Sequence, residues 1–173
     1  MREREQEAAG RVVGVHKVIF LRNVDGDLEH TKEVRKQVTR VMRQERPDIT
    51  LSQDPANNSF SNFYRFNRDH RMAAEIVFDA IYPGVGSDSF FTELAEEDIL
   101  PHQIEEVWFY STEKPNHYVD ITSTIGQKID ALKSHESQIH DMKEMEKQLR
   151  KRARDFGKKK GWKYAEAFRR LTF

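Results

Sequence analysis

An α/β layered domain with a mostly parallel sheet is the fold class this sequence predicts. Apolar runs rich in β-branched residues alternate with amphipathic helical stretches, the pattern of strands and helices stacked in layers. Polar loops follow two of the strands, as they do where an α/β scaffold carries its chemistry. The length of 173 residues suits one core and is short for two ordinary domains. Charged residues make up 34% of the chain, but 11 Phe, 5 Tyr and 2 Trp supply large apolar surfaces, which argues against global disorder.

The elements follow in order. Residues 2–13 form a helix in which Ala8, Ala9, Val12 and Val13 turn to a core, and Gly14 stops it. The run "VHKVIFL" (15–21) reads as a strand. The "DGD" at 25–27 is a turn. From Thr31 to Arg46, Val34, Val38, Val41 and Met42 recur at helical spacing, and Pro47 ends the helix. "DITLS" (48–52) is a second strand, and the long loop "QDPANNSFSNFYRFN" follows it. A helix spans Asp69–Ile81 with Met72, Ile76, Val77 and Ala80 as its buried stripe. Phe78 and Ile81 join the core there, with Trp108 and Phe109 nearby. "IEEVWFYS" (104–111) is a third strand. Ile121, Ile125, Ile129 and Leu132 mark a helix over 121–133, and 138–154 is helical by composition. In the closing "GKKKGWKYAEAFRRLTF", Trp162, Ala165 and Phe168 fall at a helical spacing that would dock the rings on one side.

Composition excludes several classes. The chain has no Cys, so disulfides and thiolate metal sites are ruled out, and any metal must sit on His and carboxylates. No apolar run approaches the roughly 20 residues of a membrane span. The start "MREREQEAAG" lacks the apolar stretch of a signal peptide, so a cytoplasmic protein without membrane contact is the default. Net charge is zero, yet residues 143–173 hold twelve Lys/Arg against four Asp/Glu. A solvated, ion-paired helix is the expected reading of that tail, and nucleic acid is not an expected partner, because base-reading motifs are absent.

In open α/β sheets, ligands sit beyond the carboxyl ends of the strands. The loop after "DITLS" leaves such an end and delivers Asp69 and His70 to the start of a helix. Asp69 there suits a helix cap. His70 is open to three readings: metal ligand, acid/base, or surface residue. A catalytic zinc usually takes three protein ligands. His102 and His117 lie in loops that could approach the same rim, and spacing does not decide it.

Several segments, in order, resemble the LmbE-like or N-acetylglucosaminyl-phosphatidylinositol de-N-acetylase (PIG-L) family. They are "REREQEAAGRVVGV", "FLRNVDGDL", "RPDITLSQDP", "NRDHRMAAEIVFDAI", "LPHQIEEVWFY" and "VDITSTIGQKIDALKSHESQI". The resemblance implies a three-layer Rossmann-like sandwich. It implies a zinc-dependent hydrolase that removes acetyl groups from amino sugars or related amides. It makes His70 a metal ligand and Asp69 a catalytic-site carboxylate that holds a neighbouring group by hydrogen bond. It makes Arg2 a substrate-contacting residue. Asn67 falls at the catalytic position where the family usually has His. Asn can donate a hydrogen bond there but cannot deliver a proton. The family's Ala-His-Pro-Asp-Asp-Glu motif, source of further metal ligands and the general base, does not occur in the chain. The expectation is therefore a single truncated domain over 1–173, lacking the first strand and helix, with a basic helical segment at 138–173. Such a chain would be inactive alone and would tend to form homo-oligomers through an unpaired sheet edge. The competing expectation is a non-catalytic interaction module of the same fold.

Overall fold

The computed structural model describes residues 1–57 and 67–173. Most of the long loop after the second predicted strand, 58–66, lies outside the described residues. The chain divides into two compact units: Met1–Leu21 with Tyr118–Ala167, and Arg22–His117 with Phe168–Phe173.

In the first unit, helix α1 (Arg2–Val13) ends where predicted. Gly14 adopts φ +78°, and its N–H reaches the Arg11 carbonyl. The left-handed turn favours glycine because it carries no Cβ. Ala9 and Gly10 are buried, but Val13 is exposed. The run 15–21 forms no strand. Val15, Ile19 and Leu21 stay exposed, and no ladder takes up their backbone. β-branched composition favours a strand only where a neighbour is available to pair.

Helix α5 (Ile125–Lys133) starts four residues later than expected. Ile121 precedes it in a turn and still joins the core, which gathers Ile121, Ile125, Ile129, Ala153 and Tyr164, flanked by Val119 and Leu149. Gln127 on α5 donates to the Val12 carbonyl on α1 at 2.7 Å. Helix α6 (Met142–Lys158) is capped by Asp141, whose carboxylate accepts the Glu144 N–H.

In the second unit, α2 (Lys32–Glu45) is capped by the Thr31 hydroxyl, which accepts the Val34 N–H, and it ends at Arg46 before Pro47. Its buried residues are Thr39 and Arg43. The Arg43 guanidinium donates to the carbonyls of Gly84, Ser87 and Phe90 at 2.7–2.9 Å, so its burial is compensated by hydrogen bonds. Thr39 lies against Gly84, where an added Cβ would stand 2.8 Å from the hydroxyl oxygen. Helix α3 (Arg68–Asp79) continues into a π-helical turn, Ala80–Val85. Ile81, Val85, Ile104, Val107 and Phe109 form the core, with Met42, Val77 and Leu171 packed on it. Phe78 is 45% exposed rather than buried, although its ring lies 6.2 Å from that of Phe109. A short helix not foreseen in the sequence, α4 (Thr92–Glu96), buries Leu94.

The sheet has four strands in the order β1-β2-β4-β3. Strands β1 (Ile49–Gln53) and β2 (Glu106–Tyr110) are parallel. Strand β4 (Ala165–Thr172) runs antiparallel to β2. The sheet is thus mixed, not mostly parallel. The tail expected to dock as a helix is β4 itself, and β3 (His117–Asp120) was not foreseen. Tyr164, Ala165 and Phe168 are buried as expected of a docked tail, but Trp162 remains 36% exposed.

Candidate active site

The site is built on the first turn of α3, in the second unit. A helix start leaves backbone N–H groups without partners. The Asn67 side-chain oxygen takes two of them, from Asp69 at 2.9 Å and His70 at 3.4 Å. Asn67, and not Asp69, is therefore the cap. That frees the Asp69 carboxylate to reach across to the 25–27 turn. One oxygen accepts the Gly26 N–H at 2.5 Å, and the other accepts the Leu28 N–H at 3.3 Å. Arg68 closes the link from its side by donating to the Leu28 carbonyl at 2.8 Å.

The turn itself depends on Gly26, which sits at φ +87°. The same segment is held again at the far end of α3. There His30 Nε2 lies 3.1 Å and Arg35 Nη1 3.5 Å from the Asp79 carboxylate. The segment 26–28 is thereby strapped to the start of α3 by Asp69, while His30 lies beside the Asp79 carboxylate at the far end. The Asp69 carboxylate thus holds the Gly26–Leu28 backbone. The tie was missed in the sequence because Asp at a helix start looks like a cap, and the Asn two residues earlier was weighed only as a catalytic position.

Parallel strands β1 and β2 end at the same level, where the Asp54 N–H donates to the Tyr110 carbonyl at 3.0 Å. Asp54 is buried there, and its carboxylate accepts the Ala56 N–H at 2.9 Å. Asn57 donates to the Ser111 carbonyl at 2.6 Å. The chain that leaves this strand end is the one that enters α3.

His70 is exposed on the first turn of α3. Neither of the other candidate imidazoles completes a donor set with it. His102 Nε2 contacts the Pro47 carbonyl at 2.8 Å, and His117 lies against Trp108 with ring centroids 4.5 Å apart. Among the described residues, no three His, Asp or Glu side chains gather as a metal site. Residues 58–66 contain no His, Asp, Glu or Cys at all. The donors gathered by this fold therefore do not fit a zinc centre by themselves. Arg2 lies on the first turn of α1, in the first unit, while Asn67, Asp69 and His70 stand together in the second.

A mixed α/β sheet and a helix start strapped to a loop define the class of scaffold. Residues 1–81 match the PIG-L family model, GlcNAc-PI de-N-acetylase, so the resemblance read from the sequence stands over that stretch. The diacetylchitobiose deacetylase of Thermococcus kodakarensis is 37% identical over 168 residues, which is 95% of this chain and 60% of that protein. The N,N'-diacetylchitobiose deacetylase of Pyrococcus horikoshii superposes with a TM-score of 0.89 at 30% identity, over 99% of this chain and 63% of that one. The chain thus spans about 60% of the length of these relatives. The 4-carboxy-2-hydroxymuconate hydratase GalB of Pseudomonas putida shares the fold, with a TM-score of 0.77 at 18% identity over 99% of this chain and 71% of that one. Among the described residues, no helix is long and apolar enough to cross a membrane.

Proposed function

We propose that this chain carries part of the active site of an amino-sugar de-N-acetylase, which hydrolyses the acetamide of an N-acetylated sugar such as diacetylchitobiose. The observation that carries the reading is the Asn67–Arg68–Asp69–His70 helix start, strapped to the 25–27 turn, in a chain 37% identical to a diacetylchitobiose deacetylase. The scaffold alone does not decide the reaction, since a hydratase shares it.

In this reading the enzyme is zinc-dependent, and zinc supplies a polarised water and a Lewis acid. His70 offers it one imidazole, and its further ligands lie beyond the donors this fold gathers. Asp69 fixes the turn that faces the substrate, Asn67 donates a hydrogen bond near the reacting amide, and Arg2 contacts the sugar. The chain alone then releases no acetate. Joined to the part of the Thermococcus enzyme that it does not span, it releases acetate from N,N'-diacetylchitobiose. A folded chimera that binds zinc and leaves the sugar intact overturns the reading.

Homo-oligomerisation belongs to the same proposal. Strand β1 lies at the edge of the sheet order, with Ile49 43% and Leu51 56% exposed, and edge strands of that kind invite pairing. Sedimentation velocity tests it. A monomer at every concentration removes this part of the proposal and leaves the catalytic part untouched.

A further inference from the structure

We propose that the outer face of α6 and the turn after it form a binding surface for single-stranded nucleic acid. On a helix of 3.6 residues per turn, Lys143, Lys147, Lys151, Arg154 and Lys158 fall within about 80° of arc, spaced about 4.5–6 Å apart along the axis. All five are exposed. The opposite side of α6 is already occupied, with Ala153 and Leu149 in the core beside Ile125, Ile129 and Tyr164. Within the stripe, Arg154 hydrogen-bonds the side chain of the core residue Tyr164, and the four lysines project from the side opposite the core. Surface pairs temper it, Lys147 with Glu144 at 3.2 Å and Lys158 with Asp155 at 3.5 Å, and such pairs are weak.

The turn that follows adds what a plain charged helix lacks. Lys158, Lys159 and Lys160 lead into Gly161, at φ +74°, and then Trp162. The Trp162 N–H closes back onto the Gly157 carbonyl at 3.0 Å. A Cβ on Gly157 would stand 2.5 Å from the Trp162 carbonyl oxygen, so the turn is built tightly around that glycine. It holds one partly exposed indole between Lys160 and Lys163, while the neighbouring Tyr164 and Phe168 are buried. The sequence led us to expect Trp162 to dock with Ala165 and Phe168, but Trp162 remains 36% exposed. An aromatic ring among regularly spaced cations suits a flexible polyanion whose bases can stack. A lipid surface fits less well, because an interfacial helix needs a free apolar face and that of α6 is already buried.

The test is fluorescence anisotropy of a labelled single-stranded oligonucleotide of about 20 nucleotides, titrated with the whole chain between about 50 and 200 mM salt. The expected result is saturable binding with a slope of log K against log salt near −3.5, about −0.7 for each of five phosphates. Changing Lys143, Lys147, Lys151 and Lys158 together to Gln should flatten the slope by about 3 and leave the melting point unchanged. Trp162→Ala should weaken binding by about fivefold or more with the slope retained. Lys32→Gln with Lys114→Gln, in the second unit, should change neither. Absence of saturable binding at the lowest salt overturns the proposal. So does binding that keeps its slope in the quadruple variant. Stronger partition onto phosphatidylserine vesicles than onto the oligonucleotide also overturns it and makes the stripe a lipid-facing surface.

Discussion

The Asp69 carboxylate accepts the backbone N–H of Gly26 at 2.5 Å, across 43 residues of sequence. With the bond to Leu28, it converts a helix start and a distant turn into one body. Asp69→Ala should therefore lower stability by about 1.5–3 kcal/mol, the range for hydrogen bonds to a charged group. Hydrogen exchange at Gly26 and Leu28 should accelerate in the variant. Urea melts and exchange rates matching the wild type would show that the strap is not maintained in solution.

Arg43 is a second fixed point. Its buried guanidinium holds three carbonyls of the segment 84–90, and desolvation pushes its pKa down from the usual arginine value. Arg43→Met should cost about 2–5 kcal/mol, because the carbonyls lose their donor inside the protein. Arg43→Lys should rescue only part of this, since the guanidinium reaches four carbonyls through two nitrogens, Nη2 to Gly84, Ser87 and Phe90 and Nη1 to Ile99, whereas an ammonium has one nitrogen with three N–H donors. Full recovery by Lys in thermal melts would contradict the geometry.

Ile76 is 2% exposed on α3. Ile76→Ala should cost about 2–5 kcal/mol. Phe78, on the same helix and 45% exposed, should tolerate Ala far better. Equal losses at the two positions in denaturant melts would show that the helix is rotated from the orientation described.

These contrasts also mark what the sequence could reveal. Helix ends were legible where a local device sets them: Gly14 after α1, Thr31 before α2, Pro47 after it. The cores of α3 and α5 were legible because Ile76, Ile125 and Ile129 follow the 3.6-residue period. The tail was misread because Trp162, Ala165 and Phe168 also satisfy a three-residue spacing, although residues 165–172 lie in a strand. The run 15–21 was misread because strand composition does not supply a pairing partner. At the site, local reasoning placed Asp69 and His70 on a helix start. It could not foresee the tie to Gly26, because a contact across 43 residues leaves no local pattern.

Acid should weaken the second unit through Glu106. Its carboxylate accepts hydrogen bonds from Arg170 and from Trp108, and these hold its pKa below the ordinary value of 4.5. A depressed carboxylate stabilises the fold above its unfolded pKa, and that contribution disappears as pH falls through the lower folded value. The melting point should therefore fall as pH drops below about 4.5. Glu106→Gln should reduce the melting point at neutral pH and flatten its decline in acid. An unchanged acid limb in the variant would assign that limb to other carboxylates.

Asn67 couples stability to chemistry. Its oxygen caps α3, so Asn67→His should cost about 1 kcal/mol. In a chimera completed with the Thermococcus segment, the same change should raise the rate of acetate release roughly ten- to ten-thousandfold, the range for a positioned acid/base. A folded variant with no rate change would remove Asn67 from the reacting amide.

The most direct measurement is acetate release from N,N'-diacetylchitobiose by that zinc-loaded chimera, with and without His70→Ala. The account predicts release by the parent and loss of both activity and bound zinc in the His70→Ala variant, with the melting point of the zinc-free proteins nearly equal because His70 is exposed. Undiminished release and zinc content in the His70→Ala chimera would contradict it.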